Sequence, residues 1–503
     1  MGRQAAPRTA PASALSSIPG TAATPVTPGL QAFWGLERWL SSAPSQHLGL
    51  SGIERESERQ GREMLRLLLQ AHIDGRGDGD VGGALRVSAP DDSPLLLTHK
   101  RLHSRRLITL FGAVTLTRMG YGNTGQASIH PLDREFQLPA RTYSYEIQRR
   151  LVKAAVQGPF DEARAALTDA TGVVVPKRSA EQVVIEASED FDAFYVQRAS
   201  SDEGAESSVL VAAIDCKGIP MVKPEPAAKT ARLAKGKKRN KKRMATVAAV
   251  FGQSPQPRTP EAVVASLFSL ESSSCKRVKR SRPQDKRVWA SLVAGKQAFI
   301  TDVRAEVGRR DPRHDKTWVI VTDGERGLQR LVCELFEDVP LVLDLLHVLE
   351  KLWAAAYTIH PEGSAQAETF VRERALRILR GQVSQVVKGL RQMATKRRLQ
   401  GQRRKKLLDV AAYFYRNRAR MRYDFFLDNG WPIASGSVEG ACKNLIKDRM
   451  ERSGMRWTPA MAEAMLRLRA VYLSGDFDAY WDYHVRQDQR RLYPDGLWTV
   501  ILK

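Results

Sequence analysis

The sequence predicts an α/β chain (α+β overall): a sheet-based core carrying a large helical insertion, preceded by a small mixed α/β region and a helix-turn-helix-like region. Three observations carry this. Short apolar runs alternate with helical patterns from Val209 to Leu345, which implies a sheet with parallel members and helices packed on it. Three of those runs, "VLVAAID", "WVIVTD" and "PLVLD", close on Asp215, Asp323 and Asp344. After Tyr357 a nearly uninterrupted helical pattern runs to about residue 429, far too long for a loop.

Taken in order, residues 1–29 are rich in Ala, Pro, Thr and Ser without periodicity and read as a disordered leader. Residues 30–140 form the small mixed region. Its helix lies in "GIERESERQGREMLRLLLQAHID", with an apolar stripe at Met64, Leu65, Leu67, Leu68 and Leu69, and "RRLITLFGAVTLTRMGYG" reads as paired strands around Gly112. Residues 141–200 are helical. One helix runs to Thr171, a turn falls at Gly172 and a second helix opens near Ser179; this fits a helix-turn-helix, although two packed helices give the same pattern. Residues 201–357 and 430–460 form the core: strands "SSVLVAAIDCKG" and "RMATVAAVFG", a helix "RVWASLVAGKQAFITDVRAEVG", strand "TWVIVTDG", helix "ERGLQRLVCELF", and strand "PLVLD" running into "LLHVLEKLWAAAY". The helical insertion occupies 358–429, and a helical tail rich in Trp and Tyr occupies 461–503.

At 503 residues with 43% hydrophobic content the chain has material for two or three cores. Lys and Arg outnumber Asp and Glu by 79 to 55, a formal net charge of +24, and a field of that sign attracts polyanions, nucleic acid above all. The excess is clustered at "KGKKRNKKR", which includes Lys237 and Lys238, at "CKRVKRSRPQDKR" and at "KRRLQGQRRKK". Four scattered cysteines with no CxxC pair argue against a disulfide framework or structural zinc. No membrane span or apolar signal segment is evident, so a cytoplasmic, nucleoid-associated protein with no membrane partner is expected.

A strand-end acid has a plain structural reading as a cap or turn former. Open α/β sheets, however, bind ligands outside the carboxyl ends of their strands. If the strands of Asp215 and Asp323 are neighbours, their carboxylates converge, and like charges so close need a compensating cation. Mg²⁺ suits such oxygen donors, and two ions about 3.5–4 Å apart assist phosphodiester chemistry by activating the attacking oxygen and stabilising the leaving one. Glu439, on the helix after Ser435 and Ser437, is the third candidate, and the three carboxyls are expected within roughly 8 Å of one another. Its plain alternative is an ion pair with Lys443. In "KNLIKDRMERSGMRW", Lys443, Lys447 and Arg449 suit backbone phosphates, while Arg456 and Trp457 suit a phosphate clamp and a base stack.

"AIDCKG", "TDGERGL", "LDLLHVLEKLW" and "GSVEGACKNLIKDRMERSGMRW", in that order and with the long helical stretch before the last, resemble the ISKra-four family of bacterial insertion-sequence transposases. The resemblance runs from about Gln60 to Tyr483 and includes "HPLDREFQLPARTYSYE". It implies a ribonuclease-H-like core in which Asp215, Asp323 and Glu439 are the catalytic, metal-holding triad, with two Mg²⁺ or Mn²⁺ ions, and the helices between Asp344 and Glu439 are the family's insertion. Asp344 and His347 resemble an Asp-x-x-His signature of Mutator-like relatives; as residues they fit a fourth metal ligand, a DNA-positioning pair, or an N-cap with a helix-face histidine. The implied activity is metal-dependent hydrolysis at transposon ends and strand transfer into target DNA, by a homo-oligomer on DNA. A catalytically silent DNA-binding regulator and a nuclease that cannot join strands are the alternatives.

Overall fold

A computed structural model of the chain describes residues 27–88, 94–198, 207–222, 242–268, 283–452 and 454–494. Lys237 and Lys238, Met1 to Val26 of the expected leader, and Cys275 to Arg282 of the second basic run lie outside the described residues. Contacts divide the chain into two units between Ser144 and Tyr145. No described helix is long and apolar enough to cross a membrane.

The first unit holds α1 (Pro28–Leu40), α2 (Ala43–Gln46), α3 (Leu50–Gly75), hairpins β1–β2 (Leu85–Ser88, Pro94–Leu97) and β3–β4 (His99–Thr109, Gly112–Gly122), and α4 (Pro131–Glu135). The β3–β4 pair is the one predicted around Gly112, which takes φ +122° just after the tight turn, a conformation that favours glycine. Ile73 of α3 packs on Leu107, Val114 and Leu116 of that hairpin. The β1–β2 hairpin has no counterpart in the sequence pattern; each strand has only four residues, too few for a clear period.

The second unit begins with α5 (Tyr145–Ala155), α6 (Phe160–Thr171), α7 (Lys177–Glu186) and α8 (Phe191–Gln197). Gly172 ends α6 in the left-handed conformation, φ +70°, as a helix C-terminus commonly requires. These helices bond to the end of the chain. Tyr195 donates to Asp476 (2.9 Å) and Tyr480 to the Ala187 carbonyl (2.6 Å), which joins them to the C-terminal helices.

The core comprises β5 (Val209–Ile219), β6 (Arg243–Gln253), α9 (Pro260–Phe268), β7 (Gln284–Ser291), α10 (Lys296–Arg310), β8 (Thr317–Thr322), α11 (Arg326–Leu335), β9 (Leu341–Leu343) and α12 (Leu345–Ala356). Its five-stranded sheet has the order β7-β6-β5-β8-β9. β6 is antiparallel to β5 and to β7, whereas β8 is parallel to β5 and β9 to β8. The central strand is buried throughout Val209–Ile214, as a continuous apolar run demands when both faces are covered. One expectation fails here. "RVWAS" is not the first turn of a helix but the end of β7, and α10 starts only after Gly295. A short apolar run beside a helix has no period of its own to betray it.

The insertion is four helices: α13 (Ala365–Leu379), α14 (Val383–Lys396), α15 (Gly401–Asn417) and α16 (Tyr423–Asp428). The chain then re-enters the core as α17 (Gly436–Ala441), a π-helical turn at Cys442–Lys447, and α18 (Asp448–Met450), and ends in α19 (Pro459–Leu473) and α20 (Phe477–Leu492).

Candidate active site

Asp215 and Asp323 stand at the same end of two neighbouring parallel strands. The last paired position of β5 and β8 is Ile214 with Thr322, and each acid is the next residue on its strand path. Adjacent strands lie about 4.7–4.9 Å apart, so the expected side-by-side placement holds. One detail differs. Asp215 does not close its strand, because β5 runs on to Ile219 along β6, with Asp215 opposite Val247.

Asp215 accepts a hydrogen bond from the Cys216 N–H (2.6 Å) and another from the Cys442 thiol (3.3 Å). Cys442 lies one turn beyond Glu439 and opens the π-helical segment, so this contact ties the Glu439 helix to the central strand. Asp323 accepts from the Glu325 N–H (3.1 Å) in a tight turn. Burial, and then the charge of Asp215, push the Asp323 carboxyl above the usual carboxylate range. Glu439 is exposed, yet its surroundings raise it too: partial burial first, then the charges of Asp344, Glu350 and Asp215. No ion pair to Lys443 is made among the described residues.

Asp344 follows β9 and caps α12, accepting from the Leu346 N–H (3.0 Å). It has no exposed surface. Its carboxylate also accepts from the Ser435 N–H (3.2 Å), the Ser435 hydroxyl and His347 Nδ1 (3.0 Å). Burial alone raises this carboxyl, but these donors outweigh it and hold it below the ordinary value. Asp344 commits both oxygens to these donors in the interior. It is a cap and a clamp. Ser435, the N-cap residue of α17, makes no side-chain cap bond and holds Asp344 instead; the Ser437 side chain lies outside the described residues. Two further bonds close the same seam: Leu345 N–H to the Ile433 carbonyl (2.9 Å) and the Tyr423 hydroxyl to the Leu343 carbonyl (2.6 Å). The chain therefore leaves and re-enters the core at one point, and the helix that carries Glu439 begins there.

The bond to Asp344 pushes His347 up to about 9. It is an imidazolium at neutral pH, and its charge lowers both Asp323 and Glu439. Sequence reasoning missed three other neighbours: Lys296, paired with Glu325 at 2.7 Å, Glu350, and Tyr413 of the insertion. Burial and then the charges of Asp323, Asp344 and Glu350 raise the Tyr413 hydroxyl. None of these three carries a local motif.

The oxygen-only donors Asp215 and Asp323, with Asp323 raised by its like-charged neighbour, have the chemistry of a hard divalent cation site. Among the described residues, however, no three His, Cys, Asp or Glu side chains are gathered closely enough to hold a metal ion. The pair is formed, and Glu439 shares its field without completing a ligand set.

Of the expected DNA contacts, Lys443, Lys447 and Arg456 are exposed. Arg449 and Trp457 are not. Arg449 has no exposed surface, donates to the Ala155 carbonyl (2.8 Å) and lies 4.9 Å from the centre of the Trp457 ring. Trp457 donates to the Met450 carbonyl (3.0 Å), and its backbone pairs with Pro220 and Val222. Both are interior residues, and a base cannot stack on this indole. Arg449 lies two residues beyond Lys447, so even a regular helix turns it away from the face that Lys443 and Lys447 share, and Trp457 follows the non-helical stretch after Met450.

No family model matches the chain, and no curated protein matches its sequence. Solved structures similar to it include the Drosophila P element transposase strand transfer complex, at 10% identity over 72% of this chain and 83% of that chain, with a TM-score of 0.25. A likeness at that score carries no argument about fold or function.

Proposed function

We propose that this chain is a DNA transposase with a ribonuclease-H-like core, in which Asp215, Asp323 and Glu439 form an acidic triad that acts on phosphodiesters at transposon ends. One observation carries the reading: Asp215 and Asp323 follow directly on the last paired position of the adjacent parallel strands β5 and β8 at the centre of the sheet, and the Glu439 helix is fastened there through Cys442–Asp215 and Ser435–Asp344. The sheet order, a central strand with an antiparallel meander on one side and parallel strands on the other, supports the ribonuclease-H-like assignment. The motifs quoted above support the transposase assignment.

In this mechanism Asp215 and Asp323 would hold Mg²⁺ or Mn²⁺, with Glu439 as the third carboxylate of the set. Bound there, the ions supply activation of the attacking oxygen and stabilisation of the leaving one. The chain's own residues orient the reaction. Cys442 fixes one oxygen of Asp215, the Glu325 N–H fixes one oxygen of Asp323, and the His347 cation limits repulsion among the carboxylates. Exposed Lys443, Lys447 and Arg456 hold backbone phosphates of transposon-end and target DNA, and the protein acts as a homo-oligomer on that DNA.

The test is strand cleavage and joining on DNA carrying the inverted repeats that flank the gene, with and without Mg²⁺ or Mn²⁺. Asp215→Asn, Asp323→Asn and Glu439→Gln should each remove cleavage and joining but retain DNA binding. A second readout needs no activity: Mn²⁺ should raise the melting temperature of the parent protein, as any ligand of the native state does, and should not raise that of Asp323→Asn. Cleavage retained by Asp323→Asn overturns the assignment, and metal-independent DNA binding with no cleavage favours the silent regulator.

A further inference from the structure

A cleft of about 480 Å³ opens beside the acidic strand end, between α11 and the end of α15. Arg326 and Arg330 of α11 line one wall, and Arg416 and Arg420 line the other. Arg326 and Arg330 are one helical turn apart, about 6 Å along the axis. The remaining lining contains one acid, Glu334. It pairs with Arg330 at 3.6 Å in a largely exposed contact, the kind of pair worth little in water and readily exchanged. Arg420 meets the Cys333 sulfur, at 3.8 Å, and Arg326, Arg416 and Arg420 meet no carboxylate among the described residues.

The cleft reaches Gly324, the residue after Asp323. A Cβ at this glycine would lie 2.2 Å from the Tyr413 hydroxyl oxygen, so the close seating of the insertion on the strand end requires glycine here. The Tyr413 ring fills the space that a side chain at Gly324 would take, so the cleft meets the strand end at the Gly324 backbone. Four guanidiniums facing one another across an open channel, with a single displaceable acid, match a chain of phosphates better than a single small anion, and guanidiniums suit phosphate in particular.

We infer that this cleft binds the sugar-phosphate backbone of the single DNA strand leading away from the scissile phosphodiester, with Arg326, Arg330, Arg416 and Arg420 as its phosphate contacts. The inference rests on the transposase reading and adds to it a strand path between α11 and the helical insertion. The insertion thereby acts directly on DNA, since the end of α15 and the turn after it supply Arg416 and Arg420, half of the track.

The experiment uses the full-length protein and a fluorescent DNA duplex carrying a single-stranded flank, with affinity measured by anisotropy across a salt series. The parent protein should show a steep decline of log K with log salt. Arg330→Ser/Arg416→Ser should lose roughly 0.7 from that slope for each single-strand phosphate contact removed, about 1.4 in all. Arg330→Lys/Arg416→Lys should recover most of it, and Arg486→Ser, an exposed arginine on α20, should change it far less. Melting temperatures matching the parent's establish that the variants fold. A slope in the serine double variant equal to that of the parent overturns the cleft assignment while leaving the triad, tested by Asp323→Asn cleavage, untouched. Absence of DNA binding by the parent protein overturns both.

Discussion

Two carboxylate sites in the same unit show opposite electrostatics. Glu306 of α10 is buried, and Arg287 (2.5 Å), Arg310 (2.7 Å) and Arg309 (2.8 Å) all donate to it. Burial opposes its ionisation, yet the guanidiniums prevail and hold it down to about 2. Asp323, at the end of a central strand, is raised by burial and by Asp215. The first site is neutralised from within and fixes α10 against β7. The second is left short of positive charge although the chain carries a large excess of it, and His347 is a cation that moderates it. The first acid is matched by its neighbours and the second is not, and it is the unmatched one on which the proposed function rests.

The largest expected consequence separates the two in kind. Asp323→Asn should bring DNA cleavage to background and leave thermal stability equal to or slightly above the parent's, because it removes a like-charge repulsion. Glu306→Ala should do the reverse, lowering stability by about 3–5 kcal/mol because it strands Arg287 and Arg310 in the interior. Urea unfolding and a cleavage assay on both proteins decide the matter, and a destabilised Asp323→Asn protein would erase the distinction.

A smaller effect should come from the seam joining the insertion to the core. Ser435→Ala removes one donor from buried, ionised Asp344, a loss of about 1.5–3 kcal/mol. Because Ser435 also leads into the Glu439 helix, cleavage should fall further than the lost stability explains. An activity change no larger than that of an equally destabilising substitution far from the seam, such as Tyr195→Phe, would show that Ser435 has no positioning role.

These contrasts also show what the sequence makes legible. The central strands are readable because Val209–Ile214 and Trp318–Val321 are continuous apolar runs bounded by acids and glycine, and burial on both faces imposes that composition. The pairing of Asp215 with Asp323 follows from strand–helix alternation. β7 is not readable, since "RVWAS" abuts a helix and its only distinctive neighbour is Gly295. Arg449 and Trp457 mislead because a basic or aromatic residue type in a basic run does not tell an interior side chain from an exposed one, and Arg449, two residues past Lys447, leaves the lysine face on any helix. Lys296, Glu350 and Tyr413 are invisible because they reach the site from separate elements, and no local pattern encodes a meeting that only the closed chain creates.

The mildest prediction concerns pH and the Asp344–His347 pair. His347 sits at about 9 in the folded protein, against an ordinary value near 6.5. A raised base contributes stability that is fully present below about pH 6.5 and is lost as pH rises through about 9. Asp344 is lowered, so its contribution is present above the usual carboxylate range and fades only as pH falls through its depressed folded value. The pair should therefore give a plateau between those limits, with a decline on the alkaline side that belongs to His347. The His347 side chain is 27% exposed, and with screening the decline should be on the order of 1–2 kcal/mol. Urea unfolding of the parent and of His347→Gln from pH 7 to pH 10 measures it: the stability gap should be widest at pH 7 and narrow toward pH 10. A gap that stays constant across that range would mean His347 carries no charge in the folded protein, and Asp323 and Glu439 would then lack the imidazolium that moderates their repulsion.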